Sequence, residues 1–320
     1  MKRIQNLSLL IILAVVVVVF WALNPGFLSL ENIKNILITV SVIGIISVPM
    51  TGLMISGGVD LSVGSLMGLS ASFCALLLSR GVAAGPAILI TLLLGVAVGV
   101  VNGLIVTKIK VNAFIGTIGM LSILNGIALV MTSRKGQTAT FSGSIGIADK
   151  GFGFLGLGSV LSIPIQVVFL AVFFAVGYVL LNHTQFGRRV YAAGAAERVA
   201  ILSGIRVDRT RIILFIFTSF AAAFGGIVMA SQFLAGHPRI GTGYEMLVLT
   251  AVILGGTAFT GGTGTMQGVL IAILIIGTMR YGMDVVGVGD YYKQMANGAI
   301  LLIAVGLDQA RRGIALRRLR

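Results

Sequence analysis

Residues 54–68 read MISGGVDLSVGSLMG. Asp60 is the only charged residue in a stretch that runs from Asn35 to Ser79. Gly57 and Gly58 precede it, and Ser62 and Ser65 follow. The flanks 35–59 and 61–79 are uncharged, and a bilayer core takes roughly 20 apolar residues per helix. The acid therefore marks the join between two membrane spans, broken by glycines.

The same punctuation continues along the chain. Uncharged runs cover 4–30, 81–107, 111–133, 151–182, 212–238 and 246–279. Of the 320 residues, 57% are hydrophobic and 10% charged, with a mean hydropathy of +1.08. A soluble domain carries about a quarter charged residues, so that class is excluded. Lys2 and Arg3 ahead of an apolar stretch imitate a signal peptide, but no small-x-small cleavage site follows. A retained first helix with Trp21 at the interface is the expectation. The single cysteine, Cys74, falls inside a span and offers no disulfide framework.

Spans are expected near 7–23, 36–56, 61–79, 86–106, 112–132, 163–182, 212–233, 244–260, 266–283 and 293–308. The fold class is thus all-α: a polytopic membrane protein of about ten transmembrane helices with both termini cytoplasmic. With that orientation the inner segments hold 15 basic residues and the outer ones eight, as the positive-inside rule requires. The excess of 23 Lys and Arg over nine acids then faces an anionic leaflet of membrane lipid rather than nucleic acid. In the tenth span Lys293 would snorkel, with Tyr291 and Tyr292 at the headgroups. Residues 1–320 form one membrane domain, with an outer loop at 133–162 and an inner loop at 183–211.

Most of the 44 glycines suit close helix packing in lipid. Two clusters stand apart: Gly57, Gly58 and Gly64, then Gly255, Gly256, Gly261 and Gly262. Glycine-interrupted spans in corresponding halves point to an inverted repeat with a solute path between the halves. Asp60, Ser62, Glu245, Thr257 and Thr260 are the polar candidates for that path. Asp60 has a second reading, as a helix N-cap accepting from the N–H of Ser62 or Val63.

The missing motifs exclude most chemistry. There is no G-x-x-x-x-G-K-[ST] loop for ATP and no Cys/His metal cluster. His183 and His237 sit at span edges without a nucleophile partner. A carrier is expected, not an enzyme.

At this point five collinear motifs resemble one family, the membrane-spanning permease subunits of ribose-type monosaccharide ABC importers. They are SGGVDLSVGS (56–65), FGRRVYAAGAAERVAILSGI (186–205), GTGYE (241–245), ILGGTAFTGGTGT (253–265) and YYKQ with LLIAVGLD (291–308). The resemblance implies a bacterial cytoplasmic (inner) membrane protein with a second permease copy, as homodimer or paralogous heterodimer. It also implies a cytoplasmic ATP-binding subunit that holds the ATP, so no cofactor in this chain, and an extracytoplasmic sugar-binding protein. The family's coupling helix falls within 183–211, where Ala195–Leu202 can form a short helix. Gly194, Glu197, Arg198, Leu202, Ser203 and Gly204 would carry the ATPase contact. Two departures stand out. Ile201 occupies the place of an expected Arg just before Leu202, and Leu247 stands where an acid commonly follows Glu245, which leaves the sugar open.

The rivals are an ion-coupled secondary transporter, using Asp60 and Glu245, and a membrane enzyme acting on lipid-linked sugars. For the enzyme, Asp284 and Asp290 are the only close acidic pair. A nucleoside, a signalling furanose or a branched-chain amino acid is an alternative solute on a related scaffold.

Overall fold

The computed structural model describes residues 2–133, 143–149 and 151–317. Arg134, Lys135, Lys150, Arg318 and Arg320 lie outside the described residues, as do the side chains of Lys2, Arg3, Arg311, Arg312 and Arg317. The described part therefore does not carry the full basic-residue count.

The helices are α1 (Lys2–Leu23), α2 (Leu30–Ile55), α3 (Val63–Ser79), α4 (Ala84–Thr107), α5 (Ala113–Thr132), α6 (Phe154–Leu157), α7 (Ile165–His183), α8 (Gln185–Ala195), α9 (Glu197–Leu202), α10 (Val207–Phe233), α11 (Tyr244–Leu254), α12 (Met266–Val285) and α13 (Asp290–Arg317). Two small antiparallel ribbons join β1 (Ile145–Gly146) to β4 (Ala235–Gly236) and β2 (Ser159–Val160) to β3 (Ile163–Pro164). Local chemistry sets many boundaries. Ser29 caps α2 through the N–H of Asn32, Asn112 caps α5 through Phe114, and Thr265 caps α12 through Gly268.

Seven described helices are long and apolar enough to cross a membrane: α1, α2, α4, α5, α7, α10 and α12. Of these, α2 is the hub, packed by α7, α10, α11 and α12, with Val40, Ile43, Ile46, Met50 and Leu53 fully buried. Burial of apolar groups drives little inside a bilayer, so close approach must do the work. Gly95, Gly99 and Gly103 put a smooth stripe of α4 against α10; a Cβ on Gly99 would lie 2.6 Å from the Cα of Ile216.

The expected span 244–260 is corrected. Helix α11 ends at Leu254 after 11 residues, roughly 16 Å and about half a hydrocarbon core. The chain before it is not helical. It descends beside α3, with Gly236 on Ala71, Pro238 on Gly68 and Gly241 on Gly64. Glu245 thus starts a half-helix alongside the first turn of α3 instead of capping a full span. The other short helix, α3, has 17 residues.

The tenth expected span lies within a longer helix, α13, from Asp290. Lys293 does not snorkel freely: its ammonium pairs with Asp284, and with Asp290 at 2.8 Å. That shared cation also accounts for the acidic pair that a membrane enzyme would have needed.

The two glycine clusters lie at the same end of the bundle and touch. An axis in the membrane plane cannot exchange two breaks at one end. The elements such an axis would relate are α3 and α11, which run in opposite directions from N-termini that meet at Gly64 and Glu245.

Candidate translocation site

The α2–α3 break begins with a helix C-cap. The N–H of Gly58 donates to the carbonyl of Leu53 and that of Gly57 to Met54, a Schellman pair that needs a left-handed residue. Gly57 supplies it with φ +86°. At the end of α11, Thr257 donates to Val252 and Gly256 to Ile253, with Gly256 at φ +88°. The ends of α2 and α11 therefore share one C-cap geometry.

Asp60 is fully buried. Its Oδ1 accepts from the N–H of Ser62 at 2.8 Å and from the Ser62 hydroxyl at 2.6 Å. The amide of Asn102, on α4, donates to Asp60 Oδ2 at 3.3 Å and to the Ser62 hydroxyl at 2.9 Å. The i to i+2 bond makes an Asx-turn, so the expected contact with the Ser62 N–H is present. The N-cap position itself belongs to Ser62, whose side chain caps nothing. The buried hydroxyl of Ser219, on α10, lies beside the same carboxyl. Asp60 and Ser62 thus turn inward to α4 and α10.

The five polar candidates fall in three places. Glu245 sits against Gly64, where any Cβ would come within 2.0 Å of its Oε2, and its Oε1 accepts from the N–H of Gly243 at 3.2 Å. Thr257 is buried beside Gly264 and Ile55 with no partner for its hydroxyl. Thr260 is exposed in the turn beyond. The oxygens of Asp60 are held by Ser62 and Asn102, while Thr257 lies just past the end of α11.

The third component comes from the segment 183–211. Thr184 caps α8 through the N–H of Gly187, and Ala196 breaks the chain into α9. Gly194 is pressed onto the contact between the two breaks: a Cβ there would lie 1.7 Å from the carbonyl oxygen of Ile55 and 2.6 Å from the nitrogen of Gly262. Those two atoms are hydrogen-bonded to each other at 2.8 Å. Tyr191 donates its hydroxyl to the carbonyl of Gly264 at 3.1 Å. Arg211 donates Nε to the carbonyl of Ser56 at 3.0 Å and Nη2 to Glu197 Oε2 at 2.8 Å.

Among the coupling candidates, Glu197 therefore faces Arg211 instead of projecting freely. Arg198, Ser203 and Gly204 are exposed, and Leu202 is 87% exposed beside exposed Val199 and Ile201. Sequence reasoning missed Asn102, Ser219, Tyr191 and Arg211. Asn102 had a signal, as a carboxamide inside the uncharged run 81–107. Arg211 was masked by its position in a loop rich in arginine.

A family model described as the permease component of branched-chain amino acid transport systems matches residues 32–305. The chain is 37% identical to the ribose import permease protein of Escherichia coli K12 over 299 residues, covering 93% of this chain and 92% of that protein. It is 34% identical to the L-arabinose ABC transporter permease protein of Azospirillum brasilense, covering 90% and 83%. Identity to the autoinducer 2 import system permease protein of E. coli SMS-3-5 is 33%, covering 94% and 90%. No solved structure matches.

Proposed function

This chain belongs to the family of permease components typified by branched-chain amino acid transport systems, and from that premise we propose that it forms the translocation path of a bacterial ATP-driven importer for a monosaccharide. The observation that carries the reading is the near full-length similarity to ribose and L-arabinose permeases. Transport is its role; hydrolysis of ATP belongs to a separate subunit. A pentose is the first candidate, and a signalling furanose is the second because the autoinducer 2 permease is nearly as similar.

The remaining assignments follow this reading. The protein is a multi-pass component of the bacterial inner membrane, one domain of about ten spans with both termini cytoplasmic and two copies forming the path. An inverted repeat relates α3 to α11. A binding protein delivers the sugar outside. The ATPase docks inside on α9, where Leu202, Ile201 and Val199 offer an apolar face beside Arg198, Ser203 and Gly204. Gly194, Glu197 and Arg211 lie behind that face and pass its movement to the breaks at Gly57–Gly58 and Gly255–Gly262. Glu245 and Thr257 serve the path, while Asp60 and Ser62 hold the first break in shape.

Uptake of labelled ribose and arabinose by cells expressing the permease with its ATPase and binding protein tests this. Abolition by ATP depletion, with indifference to a protonophore when ATP is maintained, is expected. Uptake sustained by an ion gradient alone would establish the secondary-transporter reading instead.

A further inference from the structure

Beside the α9–α10 junction lies a cavity of about 550 Å³ lined by Arg189, Arg206 and Arg209, with Phe186 and Ile213 at its apolar edge and Ser203 and Gly204, at the rim of the proposed ATPase face, on its other side. The described ion pairs of this region join Lys108 to Asp208 and Arg211 to Glu197, so they neutralise none of the three. All three arginines are exposed, so they are open to an anion from outside the protein, and their planar forks match phosphate oxygens.

A second cavity, of about 380 Å³, forms a groove between α7 and α10 on the other side of Phe186. Val48, Pro49 and Gly52 of α2 form its floor, and Phe186 lines both cavities. The two meet on neighbouring residues of α10, Ile213 in the basic one and Leu214 in the groove. At the far end Phe173 stacks on Phe220 with centroids 6.5 Å apart. From Leu181 to Val172 the groove spans roughly 14 Å at 1.5 Å per residue. A soluble anion would use the arginines and leave this groove empty. An anion carrying a hydrocarbon chain uses both.

We propose that these cavities together bind one anionic phospholipid of the leaflet on the α8–α9 side, with its phosphate among Arg189, Arg206 and Arg209 and an acyl chain along the groove. Phe186 stands at the glycerol level between them. Basic pockets between spans on that side of a membrane suit such head groups. The lipid would fix the first turn of α10 next to Arg211, and so the stance of α9.

Native mass spectrometry of the full-length permease tests this, with dioleoyl phosphatidylglycerol and dioleoyl phosphatidylcholine offered together in detergent. The wild type is expected to retain the anionic lipid on the order of tenfold better, and R189Q/R206Q/R209Q to lose the preference. Val176→Trp, on the lipid-facing wall of the groove, should weaken retention while leaving the arginines intact. Excess inorganic phosphate should not displace the lipid. Equal retention by wild type and the triple variant overturns the proposal. So does displacement by phosphate together with full retention by Val176→Trp, which assigns the cavity to a soluble anion. Loss of the lipid when the ATPase binds also overturns it and makes the cavity part of a protein interface.

Discussion

The backbone N–H of Gly262 donates to the carbonyl of Ile55 at 2.8 Å. One residue belongs to the loop after α11 and the other ends α2, so the two glycine breaks cannot move independently. Gly194 rests on that bond, and Arg211 holds the carbonyl of Ser56, the next residue. A displacement of α8 or α9 is therefore felt at both breaks.

Arg211 is predicted to matter more than its partner. Glu197 is half exposed, so Glu197→Gln should cost less than about 1 kcal/mol of stability. Arg211→Met also strips the Ser56 carbonyl of a charged donor, a loss of about 1.5–3 kcal/mol. Unfolding in detergent should rank Arg211→Met well below Glu197→Gln, and ATPase pull-down should show both variants still assembling. Equal stability of the two variants would contradict the Ser56 contact.

Asp60 is predicted to act through its hydrogen bonds. Asp60→Ala leaves the Ser62 N–H, the Ser62 hydroxyl and the Asn102 amide short of an acceptor, at about 1–3 kcal/mol, and should accumulate poorly in the membrane. Asp60→Asn keeps one acceptor, and its new amide can donate to Asn102 Oδ1, which has no partner now, once that carboxamide turns over. It should transport close to the wild-type rate. Well-expressed Asp60→Asn that assembles but moves no sugar would instead place the charge on the path.

Gly64 and Glu245 are predicted to work as a unit. Gly64→Ala forces a methyl against both Glu245 and the carbonyl of Gly241, so its uptake should fall together with that of Glu245→Gln. The double variant should be no worse than Gly64→Ala alone, since neighbouring residues are not additive. Strictly additive losses in uptake would separate the two.

Orientation is open to cysteine labelling, because Cys74 is buried and gives a silent background. A cysteine at Gly143 should react with an impermeant thiol reagent added to intact cells, and one at Arg206 should not. The reverse pattern would place α8 and α9 outside and remove the ATPase reading.

Most of the helices were legible because each uncharged run is long enough to cross a bilayer and ends in charge or a capping residue, as Asn112 ends the turn before α5. The first break was equally legible from Gly57-Gly58 beside Asp60. The half-length of α11 was not. Residues 246–279 are uncharged throughout, so hydropathy does not mark the stop at Leu254, and only the fit of Gly236 and Gly241 against α3 shows that the chain before α11 runs extended. The site was harder for a related reason. Hydrogen bonds such as Asn102 to Asp60 and Arg211 to Ser56 link residues far apart in the chain, and hydropathy carries no sign of them.

ATP-driven movement of α8 and α9 is predicted to open the path through Gly194. Its most direct test is ATP hydrolysis and sugar uptake measured together in proteoliposomes holding the permease, its ATPase and its binding protein. The wild type should take up sugar only with ATP. Gly194→Ala, whose methyl displaces the Ile55 carbonyl, should still bind the ATPase and hydrolyse ATP while uptake falls to background. Uptake without ATP by the wild type, or full uptake per ATP by Gly194→Ala, would contradict the account.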